Sequence, residues 1–162
     1  AAQCRKEDQQ IVPGGAGGES ATAWRVGYSG IEGLSLDYAQ GETETVGSEA
    51  TTTTMKASYA YSSFTVSYSD NNHDKDAGTT DEDVTSWNVA YTVSDDLSIA
   101  YGTETIETQG QTVDEESEKF NVSYTTGGVT LSATQYNFEG SGNTAGAAGE
   151  KERWALSATF AF

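Results

Sequence analysis

Hydrophobic and polar residues alternate along the last eleven residues of the chain, 152–162, which read E-R-W-A-L-S-A-T-F-A-F. A period of two residues places alternate side chains on opposite faces of a β-strand. The length also suits the ~9–11 residues that a tilted membrane-crossing strand needs. The stretch therefore predicts a strand with one apolar face, formed by Trp154, Leu156, Ala158, Phe160 and Phe162.

The same alternation occurs in eight earlier runs. They comprise Trp24, Val26 and Tyr28; Leu34, Leu36 and Tyr38; Met55, Ala57, Tyr59 and Tyr61; Phe64, Val66 and Tyr68; Trp87, Val89, Tyr91 and Val93; Leu97, Ile99 and Tyr101; Phe120, Val122 and Tyr124; and Val129, Leu131 and Ala133. Nine such runs predict an all-β chain.

The connections between these runs alternate in length. Short ones, predicted at 30–33, 62–63, 94–96 and 127–128, suit tight hairpin turns. Long ones are predicted near 42–52, 70–83, 107–117 and 139–151. Short turns on one rim and long loops on the other are typical of outer-membrane barrels, in which the long loops are extracellular. A secreted β-sandwich is a weaker alternative, because one face of each sheet would have to be packed in a core.

Composition supports β structure and limits the classes of function. Of 162 residues, 35% are hydrophobic and 18 are Gly. This hydrophobic fraction is below the ~45–50% of soluble globular domains. No apolar run approaches the ~20 residues of a transmembrane helix. The formal net charge of −17 argues against nucleic-acid binding, because phosphate contacts need Lys and Arg.

The terminal strand, with its alternating apolar residues and final aromatic, resembles the C-terminal strand of Gram-negative outer-membrane β-barrels. The architecture resembles the C-terminal half of a general porin of the sixteen-stranded kind. This resemblance implies an antiparallel transmembrane up-and-down β-barrel, with about nine strands in 22–162. The polar, Gly-rich residues 1–21 are expected to form an extracellular loop.

Nine is an odd number of strands, and single-chain bacterial barrels have an even number. We therefore expect the chain to be part of a longer protein. A complete eight-stranded barrel, with one run counted in excess, is the alternative.

The parity opposite to the aromatic residues is predicted to line a water-filled lumen. Residues of this parity mostly carry hydroxyl or amide groups. Charged residues are also expected on this face, because a charge facing lipid destabilises the barrel by ~2–4 kcal/mol at the midplane. The expected pore-lining residues are Arg25, Asp37, Lys56, Asn88, Lys119, Asn121 and Arg153. By the porin resemblance, the four cations among them are expected to form a basic ladder that faces acidic groups and sets ion selectivity.

Aromatic residues near strand ends are expected to form girdles at the membrane interfaces. The expected members are Tyr28, Tyr59, Tyr61, Tyr68, Tyr91, Tyr124, Trp154 and Phe162. Tyr is also simply favourable in strands, and the two explanations are compatible.

The stretch 70–83 carries carboxylates at alternate positions, as calcium loops do. Counted from Asn72, however, Ala77 stands where an EF-hand needs Gly, and Asp83 stands where it needs a bidentate Glu. A solvated acidic loop is expected, with a Ca²⁺ site as the alternative and no other metal or cofactor. His73, the single histidine, lies in the same stretch, so a Ser-His-Asp arrangement lacks support and no enzyme is expected.

These observations favour a porin of the bacterial outer membrane that passes small hydrophilic solutes and ions by passive diffusion. The alternative is a small closed barrel with a structural or adhesive role through its acidic loops. The porin resemblance further implies a homotrimer and delivery by the outer-membrane assembly machinery, which reads the C-terminal strand. Membrane lipid and lipopolysaccharide are the expected surroundings.

Overall fold

Ten antiparallel strands form one sheet in the computed structural model, which describes residues 2–7, 20–45, 47–76 and 80–161, the first range by its backbone alone. Each strand pairs with its sequence neighbours, so the sheet order is the chain order. The strands are β1 (Ala2–Glu7), β2 (Ser20–Tyr28), β3 (Leu34–Thr45), β4 (Ser48–Tyr61), β5 (Phe64–Lys75), β6 (Glu82–Thr92), β7 (Leu97–Thr108), β8 (Glu115–Thr126), β9 (Val129–Glu139) and β10 (Lys151–Phe160). The predicted all-β, up-and-down fold is confirmed.

The nine predicted runs correspond to β2–β10, but several strands are longer than predicted. We call the sheet end with connections 29–33, 62–63, 93–96 and 127–128 the turn rim, and the end with connections 46–47, 76–81, 109–114 and 140–150 the far rim. The expected long connection at 42–52 is wrong, since β3 and β4 pair as far as Thr45 and Ser48. Four consecutive Thr, 51–54, favour this extension because β-branched residues suit strands. The contrast in loop length between the two rims is therefore only partly present.

The prediction of a loop over 1–21 is also wrong in part. Residues Ala2–Glu7 pair with β2 from Ala2 opposite Tyr28 to Glu7 opposite Ala23. Their sequence, A-Q-C-R-K-E, has no apolar alternation, so the main-chain ladder rather than a hydrophobic pattern defines this strand. With β1 included the sheet has ten strands, and the odd count behind the expectation of a longer chain does not hold. The extracellular placement of 1–21 stays a prediction.

The turn rim is built from turns that match the twist of the strands. Gly127 and Gly128 form the two-residue connection between β8 and β9, with φ of 55° and 81°. Positive φ at both central positions is the type I′ geometry, which Gly adopts without steric cost. The hairpin predicted from this Gly pair is confirmed.

Successive hairpins end at staggered heights along the turn rim. The last pair of β2–β3 is Tyr28 and Leu36, and Leu36 is in turn opposed to Ala57 of β4. The β4–β5 hairpin continues four residues beyond Ala57, to its last pair, Tyr61 and Phe64. The next two hairpins extend one and then three residues further. Eight residues over six strands, at ~3.3 Å per residue and ~4.8 Å between strands, correspond to a tilt of about 40°. Strands in closed barrels tilt by ~35–45°.

No hydrophobic side chain is buried among the described residues. The exposed large apolar side chains of the strands instead share one face, the apolar face, which includes Tyr61 at 71% exposure and Leu156 at 82%. A face this apolar requires a cover other than water. The described residues contain no helix with the length and hydropathy of a bilayer span.

Candidate functional site

Strand register places the seven predicted pore-lining residues on one face, which we call the polar face. Directly opposed residues of antiparallel strands share a face. One row of opposed residues crosses β3 to β10 through Ser35, Ser58, Ser67, Asn88, Gly102, Lys119, Tyr136 and Arg153. Asp37, Lys56 and Asn121 lie two residues from members of this row, and Arg25 lies two residues from Gly27, which opposes Asp37. The seven residues are thus brought to one surface; their role in a pore stays a prediction.

The first charged cluster lies on β2–β4. Arg25 Nε donates to both carboxylate oxygens of Asp37, at 2.8 and 2.7 Å, and one terminal nitrogen lies 2.7 Å from Oδ2. Asp37 is directly opposed to Lys56, and all three residues line a hollow of about 390 Å³. The Arg25 side chain is 65% exposed and that of Asp37 is 18% exposed. One carboxylate thus lies among two cations and contacts one of them, Arg25, so these three side chains carry one net positive charge.

Neutral residues separate this cluster from the second one. Ser69 and Ser86 share a hydrogen bond of 2.8 Å on β5 and β6, and Asn88 lies beside Gly102 on β7. Gly102 is buried: a Cβ there would lie 2.8 Å from the Trp87 carbonyl oxygen and 2.9 Å from Asn88 Nδ2. The absence of a side chain therefore makes room for Asn88. The expected basic ladder is interrupted and consists of two separate clusters.

The second cluster lies on β8–β10 around an aromatic ring. Lys119 and Arg153 are both directly opposed to Tyr136, one from each side. Lys119 Nζ lies 5.8 Å from the ring centroid, and the Arg153 guanidinium carbon lies 5.2 Å from it. Both distances are within the ~6 Å of cation–π attraction. Here the cations contact a π face, whereas Arg25 contacts a carboxylate.

Tyr136 is the residue that the sequence interpretation missed. The predicted apolar run of β9 consists of Val129, Leu131 and Ala133, and Tyr136 falls on the opposite parity. Phe138 has the same parity, and its ring is stacked on that of Tyr136 with centroids 6.0 Å apart. The sequence does contain a signal for this: in the second half of β9 the aromatic residues Tyr136 and Phe138 take the parity of the polar residues.

The described members of the expected aromatic girdles all lie on the apolar face. Towards the far rim, three aromatic donors bond to carboxylates: Tyr68 to Asp70 at 3.1 Å, Tyr101 to Glu118 at 2.8 Å and Trp154 to Glu152 at 2.8 Å. An apolar ring with its polar tip bound to a charged group is the arrangement expected at a membrane interface. Phe162 lies outside the described residues, and the interfacial role stays a prediction.

A family model described as Gram-negative porin matches residues 3–125, which is 123 of the 162 residues. The chain belongs to the Gram-negative porins. This membership confirms the predicted resemblance and places the protein in the bacterial outer membrane. The matched range ends before β10, so the match is independent of the terminal strand that first indicated the family.

Solved structures similar to this porin confirm the barrel fold. Outer-membrane expressed OmpT of Vibrio cholerae matches with a TM-score of 0.55 over 75% of this chain and 46% of that one. In-vitro folded OmpT of the same organism has a TM-score of 0.53 over 75% and 45%, and its trimer form 0.52 over 88% and 52%. All three are 16% identical in sequence. The porin thus spans about half the length of these structures. A search of curated proteins finds no match.

The expectation that this porin is no enzyme is corrected here. Its similar structures carry the name OmpT, which is also the name of an outer-membrane protease. At 16% identity the similarity shows the fold alone. The lack of a Ser-His-Asp arrangement in the sequence is therefore not enough to exclude enzymatic activity.

The acidic stretch 70–83 is mostly strand. Its first six residues end β5, its last two begin β6, and 77–79 lie outside the described residues. Within the described residues, no three His, Cys, Asp or Glu side chains are arranged to hold a metal ion. His73 Nδ1 lies 2.7 Å from Thr52 Oγ1 on the polar face. The solvated loop is thus replaced by an acidic hairpin, and a Ca²⁺ site here stays a prediction.

Proposed function

We propose that this porin forms the wall of a passive diffusion channel for small hydrophilic solutes and ions. The observation that carries the proposal is the separation of the two faces. Arg25, Asp37, Lys56, Lys119 and Arg153 share the polar face, while the exposed large apolar side chains of the strands share the other. A sheet with this separation, tilted as barrel strands are, encloses water and faces lipid.

Single-channel conductance in a planar bilayer tests the proposal. We expect stepwise conductance from the purified protein and a reversal potential, under a salt gradient, that depends on wall charge. Lys56→Glu and Arg153→Glu should each shift the preference towards cations. Glu32→Lys, in the connection between β2 and β3, changes the charge by the same magnitude with the opposite sign at the turn rim; it is the control and should leave the preference nearly unchanged. A folded, membrane-inserted protein without conductance would favour the closed barrel with an adhesive or structural role.

We also propose that the porin assembles as a homotrimer among lipid and lipopolysaccharide, delivered by the machinery that reads its C-terminal strand. The support is the trimer form of one similar structure and the family membership. A closed barrel of about sixteen strands belongs to the same proposal. Native mass spectrometry in detergent tests it, with a mass three times that of the chain as the expected result and a monomer as the contradicting one.

A further inference from the structure

Two aromatic rings on the polar face have no part in a simple water-filled wall. Tyr136 and Phe138 are nearly parallel, at an angle of 9°, and both are half-buried. Hydroxyl and amide side chains cover most of this face, so a stacked aromatic pair departs from the pattern. An aromatic surface facing water is poorly hydrated and gains from contact with another apolar or planar group.

Basic side chains flank this pair, whereas a separate hollow beside Phe138 is lined by glutamates, Glu104, Glu115, Glu116 and Glu139. Lys119 and Arg153 flank Tyr136, and Lys151 is directly opposed to Phe138. All three basic side chains are exposed. Lys151 Nζ donates to Ser141 Oγ at 2.7 Å, which leaves its charge uncompensated by that contact. A carboxylate arriving beside the rings would therefore meet cations on two sides.

A hollow gives access to the ring. It has a volume of about 300 Å³ and is lined by Asn88, Gly102, Glu104, Lys119 and Tyr136, among others. Glu104 is the carboxylate among these lining residues and lies on the side of β7, away from Arg153. A ligand with one anionic end would be repelled by Glu104 and drawn towards β8–β10. The hollow thus has an acidic end at Glu104 and an end that is both basic and aromatic, at Lys119 and Tyr136.

We propose that Tyr136, Lys119 and Arg153 form a binding subsite for small aromatic carboxylates. The ring of the ligand packs against Tyr136, where the two long basic side chains now lie over the ring, and those side chains turn to donate hydrogen bonds to its carboxylate. At the other cluster the Arg25 guanidinium already contacts Asp37. The inference deepens the proposed function, on which it rests, because it names a solute class that the channel would retain and pass.

Calorimetric titration of the whole protein in detergent tests the subsite without any need for conductance. The probes are benzoate, cyclohexanecarboxylate and acetate at low salt. We expect benzoate to bind most tightly, and Tyr136→Leu to weaken it about two- to tenfold, the range of an aromatic pair. Tyr124→Leu makes the same change on the apolar face and should leave binding unaltered. Glu104→Gln should strengthen binding, because it removes the repulsive charge.

If a variant fails to fold, comparing the three ligands on the unchanged protein still tests the proposed subsite. Benzoate that binds no more tightly than cyclohexanecarboxylate overturns it, and so does a Tyr136→Leu protein that binds like the parent. Conductance without tighter binding of benzoate would support the diffusion channel and contradict the subsite. Tighter binding of benzoate without any conductance would support the subsite and contradict the diffusion channel.

Discussion

The two faces of this sheet are made by the same strands but stabilised in different ways. On the polar face, side chains bond to one another across strands, as in the Arg25–Asp37 pair and the hydrogen bond of 2.7 Å between Ser132 and Ser157. On the apolar face, contacts are aromatic, and Trp154 and Leu156 remain 63% and 82% exposed. Many side chains of the polar face thus find partners within the sheet, whereas the large side chains of the apolar face stay exposed.

This difference shows where the stability of the fold originates. A soluble domain buries its apolar side chains, and that burial is the dominant favourable contribution to folding. Here the described residues bury no hydrophobic side chain, and the main-chain ladder joins ten strands. The apolar face is complete only when lipid covers it. In lipid the main-chain polar groups must be paired within the protein, and the ladder pairs β2 to β9 on both sides.

A single charge placed on either face is the strongest test of this comparison. Val66 lies between Phe64 and Tyr68 on the apolar face of β5, and Ser67 is its neighbour on the polar face. We expect Val66→Lys to lower the free energy of unfolding from vesicles by ~2–4 kcal/mol, because an ammonium group faces hydrocarbon. Ser67→Lys is the matched control and should change it by less than half as much. Equal losses, measured by denaturant titration, would show that the faces are wrongly assigned.

A methyl group added to the polar face tests how tightly this side is packed. We expect Gly102→Ala to cost ~1–3 kcal/mol, because its Cβ would meet the Trp87 carbonyl oxygen at 2.8 Å. Gly41→Ala is the control on the same face, since its nearest atoms lie 3.8 and 3.9 Å away. The same unfolding measurement applies. A Gly41→Ala loss as large as that of Gly102→Ala would contradict a specific role for the space beside Asn88.

Much of this fold follows from the sequence because the alternation is a local signal. Each run from β2 to β10 carries its own period of two, which fixes the strand and the face of Lys56 or Lys119 together. β1 could not be found in this way, because residues 2–7 lack the alternation and their pairing partner is distant in the sequence. The extension of β3 and β4 towards the far rim was missed because polar Thr and Glu resemble loop residues there.

The site was predictable as a set of residues but not as an arrangement. Parity assigns Arg25 and Asp37 to one face, yet only the stagger between β2 and β3 brings the guanidinium to the carboxylate. Tyr136 was missed for a related reason. Its importance comes from two opposed cations on neighbouring strands, and these pairings depend on register rather than on local composition.

Aromatic pairing on the apolar face has a smaller expected effect. Phe64 and Tyr91 are directly opposed, with ring centroids 4.4 Å apart and an interplanar angle of 26°. A double-mutant cycle with Leu at both positions should give a coupling of ~0.5–1.5 kcal/mol. Tyr91 and Tyr124, which lie in different rows, provide the control cycle and should be additive. Coupling as large in the control as in the test pair would point to lipid reorganisation rather than to ring contact.

The smallest expected effect concerns ion preference on the polar face. Asp37→Asn removes the carboxylate that Arg25 contacts and leaves two cations, Arg25 and Lys56, in the same hollow. The reversal potential under a KCl gradient should shift towards that of chloride. Asp95→Asn removes the same charge at the turn rim and is the control. Because the Debye length falls from ~30 Å at 0.01 M to ~3 Å at 1 M salt, the shift should be largest in dilute salt and nearly vanish in concentrated salt. A shift that is independent of salt, or equal in the control, would mean that the Arg25–Asp37–Lys56 cluster does not face the permeating ions.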